Sequence, residues 1–180
     1  MDKGGQIPMN QAGEPKSVIV YTDGACIGNP GPGGYGVVLL YKHRRRELSG
    51  GFRTTTNNRM ELLAPSVGLE ALMQTCTVTI YSDSEYVVNG IEKGWAQKWR
   101  ANGWMRNKKE SALNTDLWSR LLDACALHSV QFVWVRGHTG NTQNERCDQL
   151  AMEAARGTPS IVDTVYESLS VVRSVVHDHH

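Results

Sequence analysis

Four acidic side chains, far apart in the chain, share settings that suit metal-ion chemistry. Asp23 ends the β-branched and aromatic run Val18-Ile19-Val20-Tyr21-Thr22 and is followed at once by Gly24. Asp83 closes the similar run Val78-Thr79-Ile80-Tyr81-Ser82. Such runs read as buried strands, so each carboxylate stands at a strand end, rigidly held and able to face a cleft. Glu61 lies in Asn57-Asn58-Arg59-Met60-Glu61-Leu62, early in a helical pattern, and Asp148 in Asn144-Glu145-Arg146-Cys147-Asp148, in a late helix. Converging carboxylates make an oxygen-rich site for a hard cation, Mg²⁺ with Mn²⁺ as substitute. Two such ions about 4 Å apart clamp the attacking and leaving oxygens of a phosphodiester; one activates its bound water and the other stabilises the departing 3′ oxygen. His138 lies in the loop Arg136-Gly137-His138-Thr139-Gly140, and histidine is the residue type that passes protons near neutral pH. Taken singly, each acid has a plainer reading as a turn, cap or first-turn residue favoured by a helix dipole. Their joint pattern is what points to catalysis.

The elements that must position these groups follow from periodicity. Strands are predicted at about 17–25, 37–41, 47–55, 77–82 and 130–135. Helices are predicted near 57–71, from Ser84, at 115–127 and at 143–156, the last ended by Gly157 and Pro159. The order βββαβααβα gives an α/β (α+β) fold, a five-stranded mixed sheet with helices on its faces. Pro65 and Gly68 are expected to interrupt the first helix, with a kink beside Glu61. The stretch Gly28-Asn29-Pro30-Gly31-Pro32-Gly33-Gly34-Tyr35-Gly36 contains a literal G-x-G-x-x-G but leads into Val37-Val38-Leu39-Leu40-Tyr41, a strand. A dinucleotide fingerprint must open a helix, so the glycines are expected in a hairpin turn that approaches a ligand closely. His43-Arg44-Arg45-Arg46 reads as an exposed basic turn.

Composition narrows the class. The 180 residues suit one domain with tails, and a net charge of +1 does not by itself select a nucleic-acid partner. Four cysteines without C-x-x-C spacing read as reduced thiols; their spacing does not suit zinc, and no apolar run approaches a membrane span. These features point to a cytoplasmic protein. Residues 1–16 read as a disordered leader, 17–157 as the catalytic domain and 158–180 as a tail docked on it. Val162, Val165, Leu169, Val172 and Val176 recur at helical spacing, although the valines fit a strand equally by propensity. Between Lys93 and Lys109 lie Trp95, Trp99 and Trp104 with six cations and no acid, either an inward-packed aromatic helix or a phosphate-facing protrusion.

The motifs Tyr-Thr-Asp-Gly at 21–24, the glycine-rich run at 28–36, Thr-Asn-Asn-Arg-Met-Glu at 56–61, Ser-Asp-Ser at 82–84, Gly-His-Thr-Gly at 137–140 and Asn-Glu-Arg-Cys-Asp at 144–148 occur in order. In this set, spanning roughly 17–156, the chain resembles ribonuclease HI, the bacterial type 1 family. The resemblance implies a ribonuclease H-like fold and an endonuclease that cuts the RNA strand of RNA–DNA hybrids, leaving 5′-phosphate and 3′-hydroxyl ends. It implies Asp23, Glu61, Asp83 and Asp148 as metal-binding acids and His138 as the mobile proton or product-release residue. Gly24, Cys26, Asn29 and Asn57 would contact substrate, Thr56 would help hold a DNA phosphate, and the tryptophan-rich stretch with Trp95, Trp99, Arg100 and Trp104 would be the basic protrusion. A monomer with no obligate protein partner is expected.

The chain departs from the family pattern at Glu85, where a glutamine is usual at the minor groove, and at Arg100-Ala101-Asn102, poorer in positive charge than the usual cluster. Weaker, less salt-sensitive hybrid binding is expected from the second. A non-catalytic hybrid-binding module is the alternative; it would be expected to lack one of the four acids, and all are present. A transposase or integrase domain would need further DNA-binding regions.

Overall fold

The structure is a computed structural model and describes residue 13 and residues 15–177. The elements in chain order are β1 (Lys16–Cys26), β2 (Gly31–Tyr41), β3 (Arg44–Thr55), α1 (Asn57–Glu70), β4 (Cys76–Ser82), α2 (Glu85–Glu92), α3 (Trp95–Ala101), α4 (Thr115–Ala126), β5 (Ser129–Trp134), α5 (Thr142–Arg156) and α6 (Thr164–His177). Two helices go beyond the predicted order: α3 within the tryptophan-rich stretch and α6 in the tail. In α6 the helical spacing prevails over the strand propensity of valine, and Asp163 caps it by accepting from Tyr166 N at 3.3 Å. Most of the expected leader, 1–16, lies outside the described residues, but Lys16 already belongs to β1, paired with Cys76. No described helix is long and apolar enough to cross a membrane.

The sheet runs β3-β2-β1-β4-β5. The first three strands form an antiparallel meander, while β4 and β5 continue parallel to β1. Alternation along β1 sends Val18, Val20 and Thr22 into the main core and Ile19, Tyr21 and Asp23 to the opposite face. The main core is closed by α1 and α4 through Leu62, Leu63, Trp118 and Leu121. The opposite face is covered by α5 through Cys147 and Leu150, which pack on Val38.

Three local expectations are corrected. The glycine-rich run lies mostly inside β2, with the turn confined to residues 27–30. Its spacing serves helix contact: a Cβ on Gly36 would come within 2.2 Å of Cys147 O, so its absence lets α5 lie directly on the strand. Arg44, Arg45 and Arg46 belong to β3, paired with Tyr41, Leu40 and Leu39, because a two-residue turn at Lys42–His43 lets the ladder run to its end. Finally, α1 is uninterrupted and carries Pro65 inside it. Residues 59–66 of α1 are all buried, so tertiary contacts on every side enforce the helix that proline alone would disfavour.

Candidate active site

The parallel register of β1 and β4 builds the first half of the site. Thr22 pairs with Ser82 at the end of the ladder, so the next residues on both strands are Asp23 and Asp83. Two residues back, Tyr21 and Tyr81 stack with centroids 4.8 Å apart, fixing the two strands side by side below the acids. Glu61 arrives from α1. Thr56 caps that helix, its Oγ1 accepting from Arg59 N at 3.3 Å. The first turns of α1 press on Gly24, where a Cβ would stand 2.4 Å from Glu61 N. Gly24 N donates to Asp23 Oδ1 at 2.9 Å, holding the carboxylate in place.

Asp23, Glu61 and Asp83 each offer a carboxylate oxygen, all within 4.8 Å of one another. Asp148, carried on α5, lines the same cleft of about 310 Å³ together with Gly24, Cys26, Asn57 and His138. His138 is exposed on its loop with a left-handed backbone, φ 57°. Burial, then the neighbouring charge of Asp83, pushes Asp23 up to about 8 from 3.8. Burial, followed by Asp23 and Asp83, holds Glu61 well above the ordinary carboxylate range, and burial also raises Asp83. Like charges are thus crowded together, with His138 offsetting part of the charge at Asp83. Glu61 Oε2 is buried with no hydrogen-bond partner. An orphaned acceptor within an all-oxygen donor set fits a hard divalent cation. The thiols nearby do not compete as ligands: burial raises Cys26 and pushes Cys147 up to about 12.

The remaining predicted contacts fall into three groups. Asn29, Thr56 and Asn57 cluster at the start of α1, with Asn29 Oδ1 accepting from Asn57 N at 2.9 Å. Cys26 Sγ lies 3.4 Å from the carbonyls of both Gly31 and Thr55, tying three strand ends at the lip of the cleft. Glu85 is exposed in the first turn of α2 and does not line the cleft. In the tryptophan-rich stretch, Trp99 and Trp104 pack against the core, Trp99 edge-on to Trp118 at 5.9 Å. Trp95 stays 40% exposed under Lys93 Nζ. Arg100 donates to Asp123 Oδ1 at 2.7 Å, and Arg106 pairs with Glu110. Sequence reasoning missed Met152, one turn beyond Asp148 in the cleft, and Trp134, whose Nε1 donates to Asp83 O at 3.1 Å. The i, i+4 spacing signals the first; the second depends on a contact across 51 residues and carries no local signal.

The RNase H family model matches residues 15–156, which hold every acid of this cleft. The chain belongs to the ribonuclease H family. It is 69% identical over 147 residues to Ribonuclease H of Desulforamulus reducens, covering 82% of this chain and 92% of that one. It is 54% identical over 153 residues to Ribonuclease HI of a Synechocystis species, covering 84% and 96%. Among solved structures, LC9-RNase H1, a type 1 RNase H with the type 2 active-site motif, superposes with a TM-score of 0.72 at 33% identity, covering 92% of this chain and 83% of that one. LC11-RNase H1, solved in complex with an RNA/DNA hybrid, gives 0.60 at 25% identity, covering 78% and 97%. The chain is accordingly a ribonuclease H, an enzyme that cuts the RNA strand of RNA–DNA hybrids, and the binding-module alternative is not favoured. The family is metal-dependent, in keeping with the carboxylate cluster.

Proposed function

We propose that Asp23, Glu61, Asp83 and Asp148 hold Mg²⁺, with Mn²⁺ able to substitute, and that cleavage leaves 5′-phosphate and 3′-hydroxyl ends on the RNA. The observation that carries this is the trio of carboxylates within 4.8 Å, Asp23 and Glu61 buried and Asp83 half-buried, with one oxygen of Glu61 lacking a partner. When bound, the divalent ions supply the positive charge that activates the attacking water and offsets charge on the departing 3′ oxygen. The protein's own part is orientation. Asp23 and Asp83 stand side by side just past the end of the β1–β4 ladder, and Glu61 is held by a capped, buried helix, so three ligands are placed before substrate arrives. His138 faces the cleft from an exposed loop, free to accept a proton and to carry it away with the product. Gly24 and Cys26 at the lip, with Asn29, Thr56 and Asn57 beside them, receive the hybrid backbone, and the 2′-hydroxyls mark the strand to be cut. Trp95, among the cations Lys93 and Lys98, provides the exposed part of the protrusion, with Trp99, Arg100 and Trp104 fixing its base. Glu85 stands at the minor-groove side. The enzyme acts as a monomer in the cytoplasm.

The deciding experiment is cleavage of a labelled RNA–DNA hybrid in Mg²⁺ and in Mn²⁺, beside double-stranded RNA, double-stranded DNA and the Asp23→Asn variant. Cutting of the hybrid's RNA alone, lost in the variant, with ends that a phosphatase can trim at the 5′ side, supports the reading. Cleavage that survives chelation of divalent ions would refute it.

A further inference from the structure

The C-terminal helix lies beyond the matched family region, yet it borders the ground where substrate is read. Tyr166, Leu169 and Ser170 fall at i, i+3 and i+4 on α6 and line a groove of about 510 Å³. Asn29, Thr56 and Asn57 line the same groove. Asn57 also lines the carboxylate cleft, so the two depressions form one continuous surface. No carboxylate is among the groove's lining residues. The acid on the first turn of α6, Glu167, is turned away and paired with Arg53 at 3.0 Å. Leu169 is 54% exposed.

The helix is also held in register with the site. Arg53 N donates to Ile161 O at 2.9 Å, laying the segment before α6 along β3. Asp163 Oδ2 then accepts from Thr55 Oγ1 at 2.6 Å and from Arg59 Nε at 2.7 Å, while its Oδ1 caps α6. Thr55 and Arg59 flank Thr56, so the first turn of α6 and the first turn of α1 share one carboxylate.

We infer that α6 is a wall of the substrate-binding surface, contacting the DNA strand of the hybrid as it passes Thr56 and Asn57. This rests on the proposed reading, which places a DNA phosphate at Thr56. Tyr166 offers a hydroxyl donor to a phosphate oxygen, and Leu169 offers an apolar face to deoxyribose. A neutral wall whose one acid is neutralised elsewhere suits a polyanion, and its helical backbone keeps the contact rigid.

Charge substitution at the exposed Leu169 tests this without disturbing the anchor. Leu169→Glu and Leu169→Lys are compared in steady-state cleavage of a hybrid. Leu127→Glu and Leu127→Lys serve as controls at a comparably exposed leucine outside the groove. The expected result is a KM about tenfold higher for Glu than for Lys at position 169, with kcat unchanged, and less than about twofold at 127. The difference collapses on a hybrid whose DNA strand carries uncharged methylphosphonate linkages. Equal KM values at 169, a ratio no larger than at 127, or a ratio that persists on the uncharged DNA strand would overturn the inference while leaving the proposed reading intact. A wild-type chain that leaves the hybrid uncut would overturn that reading, and the inference with it.

Discussion

Two residues apart on α1 stand two buried charges treated in opposite ways. Arg59 is 3% exposed and Glu61 5% exposed. Arg59 donates to both oxygens of Asp163 and both oxygens of Asp116, at 2.7 to 3.0 Å. Burial opposes its charge, but the hydrogen bonds it donates to these acids outweigh that and raise its pKa. Glu61 sits beside the like charges of Asp23 and Asp83, with one oxygen unpartnered. The lesson is that burial alone does not separate a structural charge from a functional one; compensation does. The completed cluster fastens three segments, whereas the incomplete one is poised for a ligand from outside.

The contrast can be broken most severely at the incomplete cluster. Asp23→Asn is expected to lower kcat by more than about a thousandfold, some 4 kcal/mol of transition-state stabilisation. It should nevertheless raise the melting temperature of the metal-free protein, since one of three crowded acids is neutralised. A variant that is both inactive and less stable would mean that the trio is compensated after all. At the complete cluster the expected signs reverse: Arg59→Met leaves Asp163 buried without its cation and costs about 3–5 kcal/mol in denaturant unfolding. That corresponds to a melting temperature lower by roughly 10 °C or more.

The pH dependence sharpens the same contrast. The folded pKa of Asp23 lies above its unfolded value, so the native state binds more protons. Its contribution is most favourable below 3.8 and is lost as pH rises to about 8. Metal-free thermal melts should therefore show stability falling across that window, and added Mg²⁺ should restore it most at the alkaline end. The opposite sign belongs to Glu47, which accepts from Arg146 at 2.7 Å and Arg45 at 2.9 Å and is held down at about 2. Its contribution is present above 4.5 and lost as pH falls towards about 2. This pair is solvent-screened, and Glu47→Gln is expected to cost less than about 1 kcal/mol. A larger loss in urea unfolding would show that it braces the α5 turn carrying Asp148.

Much of this was legible in the sequence, because the informative signals are local. The strands that carry Asp23 and Asp83 follow from two β-branched runs, although β1 continues past Asp23 to Cys26. The start of α1 is signalled by a cap at Thr56 or Asn57, of which the structure uses Thr56, and Gly157 marks the end of α5. What remained hidden depends on contacts distant in sequence. Glycines in β2 resemble a turn until α5 is laid on them. Pro65 resembles a break until α1 is seen to be enclosed. Asp163, 104 residues from Arg59, gives no local sign of its partner. The tryptophans illustrate the limit of spacing: Trp95 and Trp99 share a helix, yet one is exposed and the other packs edge-on to Trp118.

The hydrogen bond from Arg53 to Ile161 has a consequence for solubility. β3 is an outer strand of the sheet, and its outward amides are a template on which another chain could lengthen the sheet. The segment before α6 occupies part of that template, while Arg44, Arg45 and Arg46 place repelling charge near the far end. A chain cut at Gly157 would uncover the edge at the Arg53 end, and its characteristic failure would be self-association in a concentration-dependent manner.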